Sequence, residues 1–122
     1  MKKFRFDKQV GTHITHYESN FWLSRILQIE NKNVQIFCMH LEAEGVIGAH
    51  AAQVEQLLLI IQGEGVVSGG SDQKKMKVSM GDAVFWETGE WHETKTEKGM
   101  TAIAIEGEGI DPGKFMKLGK GN

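Results

Sequence analysis

Cysteine and proline are almost missing from this chain: Cys38 and Pro112 are single occurrences among 122 residues. One thiol cannot form an internal disulfide. Cys38 sits within the apolar stretch from Val34 to Leu41, where a buried, inert thiol is expected, and nothing near it in sequence would lower its pKa. Long hydrophobic runs are missing too. The longest, Leu57 to Ile61, is a strand's length and falls far short of the roughly 20 residues a spanning helix needs. The N-terminal MKKFRFD carries lysines but no apolar stretch behind them and no small-residue cleavage site, which predicts a cytoplasmic protein. An excess of charge of one sign is the third absence. Fourteen Lys and Arg against sixteen Asp and Glu leave a net charge of −2, with the lysines scattered, so no footprint for nucleic acid exists. No nucleophilic Ser, Cys or Lys arrangement is visible, and the Gly-Gly-Ser stretch has no helix after it to cradle a phosphate. Hydrolase and nucleotide-binding roles are therefore unsupported.

What the chain does have is fifteen glycines spaced among short runs of Val, Ile, Leu, Thr and Phe. That pattern predicts an all-β sandwich or barrel. Expected strands are Val10 to His16, Phe21 to Ile29, Val34 to Glu42, Gln56 to Gln62, Gly65 to Ser68, Lys75 to Ser79, Ala83 to Trp86, His92 to Glu97 and Met100 to Ile105. Ser68 to Asp72 reads as an exposed hairpin tip. The length allows one domain. Its expected parts are N-terminal strands over residues 1–33, packing on the barrel or on a partner, a barrel core over 34–106, and a Gly- and Lys-rich tail over 107–122.

Parity orients several of these strands. In His92-Glu93-Thr94-Lys95-Thr96-Glu97 the charges fall on one face, so His92 and Thr94 point inward. Leu57 to Ile61 and most of Val34 to Leu41 are apolar on both parities, which predicts cover on both faces. A second copy of the chain, giving a homodimer, or an N-terminal strand could supply the outer cover. His40 shares parity with Val34, Ile36 and Cys38 and is a reserve ligand if that face is the interior. His13 and His16 fall on opposite faces and make no metal pair.

Two segments carry chemistry. In Gly45 to Gly65, GVIGAHAAQVEQLLLIIQGEG, His50, Ala52, Gln56 and Gly63 are spaced as in the first cupin motif, where a His-x-His pair and a glutamate hold a metal. In Gly81 to Thr96, GDAVFWETGEWHETKT, Gly81, Gly89 and His92 match the second cupin motif, with Glu87 in the slot of its proline. The chain thus resembles the cupin superfamily over about Val34 to Ile105. That resemblance implies a cupin-type double-stranded β-helix, a jelly-roll barrel of a single domain that is commonly dimeric.

Of the four ligand positions the resemblance implies, His50 and His92 are kept, Ala52 cannot coordinate, and Gln56 replaces a carboxylate by an amide. Glu55 alternates to the other face. The metal set is then His50, Gln56 and His92, three donors without charge, suited to a divalent transition ion (Zn, Ni, Fe, Mn or Cu) or left without one. Trp86 and Trp91 flank the loop before His92, where aromatics either stack on a ligand or fill the core. Glu87 and Glu90 read as solvated loop charge. The expected ligand-binding group is His50, Gln56, His92, Trp86, His40 and Thr94. Two functions fit: a small cupin binding a small organic ligand in its barrel, or a metal-dependent enzyme of the dioxygenase, isomerase or decarboxylase type.

Overall fold

Val, Ile, Leu and Phe crowd the runs around residues 34–41, 56–62 and 100–105, and such side chains suit a pleated, half-buried surface. All three runs are strands in the computed structural model, which describes residues 1, 3–29, 31 and 33–119. The end of the expected tail, residues 120–122, lies outside the described residues. Among the described residues the strands are β1 (Thr12–Ile14), β2 (Phe21–Ile29), β3 (Val34–Leu41), β4 (Val46–Ala51), β5 (Gln56–Gly69), β6 (Lys74–Ser79), β7 (Ala83–Trp86), β8 (Trp91–Lys95) and β9 (Met100–Glu106). Short 3-10 turns cover Lys8–Val10, His16–Glu18 and Pro112–Lys114. No helix among the described residues is long and apolar enough to cross a membrane.

Every pairing is antiparallel, and the sheet curls into two walls. The first wall runs β1-β2-β3-β9-β5-β7 and the second runs β6-β5-β8-β4. β5 belongs to both. Its first half pairs with β9 and β7, its second half with β6 and β8, and the strand turns the corner near Gly63. Gly63 has φ +83°, and a Cβ there would lie 2.3 Å from the Gly99 carbonyl oxygen. Only glycine allows that backbone and that approach. The two strands expected over Gln56 to Gln62 and Gly65 to Ser68 are therefore one bent strand. Backbone bonds between Asn20 and Val46 bring the second wall's edge back to the start of β2.

The space between the walls is filled in layers. β3 places Phe37 and Met39 opposite Ala104 and Ala102 of β9, so large side chains on one strand meet small ones on its neighbour. Leu58 and Ile60 of β5, Val84 and Trp86 of β7, and Val67, Val78 and Ile47 of the second wall join the cluster, with Phe21, Leu41 and Met100. Leu58 is 1% exposed, and burying such a side chain stabilises the fold by roughly 1.5–3 kcal/mol. The alternate residues Leu57 and Leu59 are only half-buried on the outside of the first wall, and Ile61 is exposed.

His40 lies on that outer side, opposite Trp22 and Thr101 in register. Phe37, Met39 and Leu41 take the inner face of β3, so the parity that His40 shares with Cys38 sends it outward. Its Nε2 is 2.9 Å from the Phe6 carbonyl, under the N-terminal segment. His40 is thus no part of the interior group it was expected to join. Cys38 is fully buried, and burial pushes its thiol pKa up to about 11, which keeps it protonated and unreactive.

Candidate functional site

The apolar layers give way to polar side chains at one end of the barrel. Register aligns Gln35 with Glu106, Glu106 with Gln56 and Gln56 with Trp86 across the first wall. Gln56 shares the inward parity of Leu58 and Ile60, and Glu106 shares that of Ala102 and Ala104. Directly opposed side chains on antiparallel strands have Cβ atoms about 5 Å apart, so Gln56 and Glu106 are side by side. Facing this row from the second wall, His50 of β4 is paired with His92 of β8.

A β-bulge turns His50 inward. Ile47 pairs with Thr94 and His50 with His92, so three steps along β4 span two steps along β8. Strict alternation would put Ile47 and His50 on opposite faces; the extra residue puts both inside, the re-aiming that bulges perform. Gly48 makes this possible. A Cβ on it would fall 1.6 Å from the Tyr17 carbonyl oxygen, and its N–H donates to Ser19 Oγ at 2.8 Å. Its own carbonyl accepts from His50 Nδ1 at 2.7 Å. One glycine therefore sets both the direction of His50 and its ring orientation.

His92 is held in the same manner, with Nδ1 3.2 Å from the Glu90 carbonyl. A carbonyl can only accept, so both rings carry hydrogen on Nδ1. Burial lowers the His92 pKa to about 4, with the charge of His50 adding to the effect, so the ring is neutral at pH 7. Its Nε2 is buried with no hydrogen-bond partner among the described residues. Buried acceptors are nearly always paired, which marks this atom as one that wants a donor.

Rings line up through the site. Tyr17 stacks on His50 at 5.0 Å and 11°, His50 meets His92 at 4.4 Å and 55°, and Trp86 stacks on His92 at 4.7 Å and 28°. Tyr17 and Glu18 hold φ of 58° and 59°, a conformation non-glycine residues adopt at an energetic cost. Burial raises the Glu106 carboxyl above its ordinary value, and the charge of His50 partly offsets that.

The structure thus brings together His50, Gln56, His92 and Trp86, with Thr94 buried one inward step below His92. His50 and Gln56 reach the group from opposite walls, because β4 ends at Ala51 and β5 begins at Gln56. Ala52 is buried beside His50, its backbone bonded to Gly89 and Glu90. Glu55 turns away, accepting from Thr88 Oγ1 and the Gly109 N–H. Glu87 is exposed, Glu90 Oε1 caps the Glu87 N–H, and Trp91 is 57% exposed, neither core nor site. Sequence reading missed Tyr17, Gln35 and Glu106. Only Glu106 left a trace there, a charged residue continuing the parity of Ala102 and Ala104. Two surface clefts of about 790 and 890 Å³ lie elsewhere, and a third of about 410 Å³ runs along Tyr17, Glu18 and Gly48 beside the site; none is lined by His50, Gln56, Trp86, His92 or Glu106.

Two imidazoles pinned through Nδ1 suit a metal ion. The rest of the donor set does not close around one. Gln56 adds a neutral oxygen, and among the described residues no three His, Cys, Asp or Glu side chains converge to hold a cation.

Comparison with known proteins agrees with this geometry. The cupin domain family profile matches residues 37–106, more than half of the chain. The chain belongs to the cupin family. Among solved structures, this cupin is similar to a cupin-like protein from Thermotoga maritima, with 17% identity over 88% of this chain and 83% of that one, and a TM-score of 0.74. A second Thermotoga maritima structure, described as a predicted oxalate decarboxylase, shares 20% identity over 86% of this chain and 99% of its own, with a TM-score of 0.70. A cupin superfamily protein from Desulfitobacterium hafniense shares 17% over 73% and 78%, with a TM-score of 0.65. At these identities the likeness concerns the fold. No curated protein matches the chain significantly.

Proposed function

We propose that this cupin binds a small organic ligand at the polar end of its barrel, against His50, Gln56, Trp86, His92 and Thr94. The observation that carries the reading is His92 Nε2, a neutral acceptor buried without a partner. An unpaired buried acceptor destabilises a fold by about 1–3 kcal/mol, and a bound donor removes that penalty. His50 and Glu106 are half-buried, so the group is not sealed from solvent. NMR of the imidazole and indole signals during a fragment screen tests it. His92 and Trp86 signals should shift together for donor-bearing fragments, and a screen in which none moves them overturns the reading.

The fixed Nδ1 contacts of both histidines favour one second reading, a metal-dependent enzyme using His50, Gln56 and His92. Metal analysis of protein purified without an affinity tag separates the two. Stoichiometric metal that disappears in His50→Ala with His92→Ala supports the second; substoichiometric metal that does not rise on adding Mn, Fe, Ni, Cu or Zn supports the first. The proposal includes a homodimer covering the outer face of the first wall, where Leu57, Leu59 and Ile61 lack full cover. Light scattering at micromolar concentration that returns the monomer mass removes that part.

A further inference from the structure

The polar tier combines an acceptor-only imidazole with a carboxylate. His92 offers Nε2 as an acceptor and Glu106 a carboxylate, while the amides of Gln56 and Gln35, which flank Glu106 in register, have N–H groups to give. Glu106 brings the tier's negative charge. The ion pairs among the described residues join Arg5 to Asp7, Lys8 to Glu42 and Lys95 to Glu93, so none involves it. The described cation on the inner side of the neighbouring β2, Arg25, lies over the Phe37 ring, 5.5 Å from its centroid. The charge that acts on Glu106 among the described groups is that of His50. Tyr17 and Trp86 add aromatic rings, whose faces attract cations.

We propose that Glu106 is the specificity-determining residue of this tier, selecting small ligands with a protonated amine head and disfavouring carboxylates. The inference rests on the ligand-binding reading above. Gln56 and Glu106 sit side by side in register at the half-open end of the barrel, so an entering head group meets the carboxylate together with the amide. An ammonium donates to Glu106, Gln56 and His92 Nε2 and neutralises the buried charge. A carboxylate in the same place opposes Glu106 and finds no donor on His92, so its own desolvation goes uncompensated. The carboxylate that the first cupin motif places at position 56 is here on the adjacent strand, where it serves as a counter-charge to the ligand.

The test uses the full chain, treated with chelator, and three probes sharing one aromatic body: benzylamine, benzyl alcohol and benzoate. Binding is followed at pH 7.5 by the NMR signals of the His50, His92 and Trp86 rings. Benzylamine should bind at least ~10-fold more tightly than benzoate, since like charges at this separation are costly in a partly desolvated site. In Glu106→Gln that ratio should fall below ~3-fold, because the charge is lost while the shape of the side chain is kept. Should Glu106→Gln fail to fold, Gln56→Glu is the second variant, and a second carboxylate beside Glu106 should widen the ratio. Benzoate binding as tightly as benzylamine overturns the inference and leaves the ligand-binding reading standing. A ratio unchanged by either variant also overturns it. No probe shifting His92 or Trp86 overturns both.

Discussion

The two ends of this barrel are built from the same strands and follow opposite rules. At the apolar end Phe37, Met39, Leu58, Ile60, Ala102 and Ala104 interdigitate, and every inward atom gains by leaving water. At the other end the same rows continue as Gln35, Gln56, Glu106, His50 and His92, and burial there acts against the charged and unpaired groups. Polar side chains placed where apolar ones would stabilise the fold are the feature on which the proposed binding site rests. Stability should therefore come from one end and pH response from the other.

The largest effect expected is at the apolar end. Leu58→Ala removes a core side chain that is 1% exposed, and the lost burial plus the residual cavity should lower stability by ~2–5 kcal/mol. Urea denaturation measures it. The titration of His92 should be unchanged, since the two ends share strands but no charged group. A Leu58→Ala protein in which His92 titrates differently would show that the ends are coupled.

Next comes the response to acid. His92 has a folded pKa of about 4 against 6.5 unfolded, so its contribution is complete above pH 6.5 and is lost as pH falls towards 4. That difference corresponds to up to about 3 kcal/mol. Glu106 works in the opposite sense: its raised folded pKa favours the folded state in acid, an advantage lost as pH rises through that value. Comparing His92→Leu with the parent isolates the histidine. Between pH 7 and pH 4 the variant should gain on the parent by up to about 3 kcal/mol; parallel curves would mean that His92 is accessible to protons in the folded state.

Gly48→Ala should follow, because it strikes the joint between the ends. Its Cβ would overlap the Tyr17 carbonyl, so β4 or the strained Tyr17-Glu18 turn must shift. The destabilisation should be ~1–3 kcal/mol, as for other overpacked sites. The ring-current shift that Tyr17 imposes on His50 should diminish in the same variant, read by NMR. Full retention of that shift would mean that the bulge does not set the direction of His50.

How much of this was legible in the sequence follows from what each feature depends on. Leu57 to Ile61, Val34 to Leu41 and Met100 to Ile105 announce themselves as strands because hydrophobic β-formers dominate them, and the glycines and histidine around His92 carry the family. β4 was not read as a strand: Val46 to Ala51 contains a glycine and two alanines, weak β-formers, and it is a strand because β8 pairs with it. The bulge breaks the alternation from which parity arguments start, and the site nevertheless includes His50 because motif spacing, not parity, had located it. Glu106 is not legible because the hydrophobic run ends at Ile105, one residue before the strand does. Tyr17 was missed because its place beside His50 depends on a turn and on the absence of a Cβ at Gly48, neither of which has a local signature.

The smallest effect should come from the buried histidine of the site. His92→Leu at pH 7 replaces a neutral ring with an aliphatic side chain of similar volume. It gives up the Nδ1 contact to the Glu90 carbonyl and the stacking on Trp86, each worth on the order of 1 kcal/mol. It also removes the unpaired Nε2, whose burial disfavours the fold by a similar amount. These terms oppose one another, so the net change should stay within about 1 kcal/mol. That is well below the loss at Leu58, although His92 is 3% exposed and Leu58 1%. Equal burial with unequal loss is what distinguishes a residue kept for binding from one kept for folding. Denaturant titration of the two variants side by side decides it. A loss at His92 matching that at Leu58 would make the histidine structural and erase the contrast between the two ends.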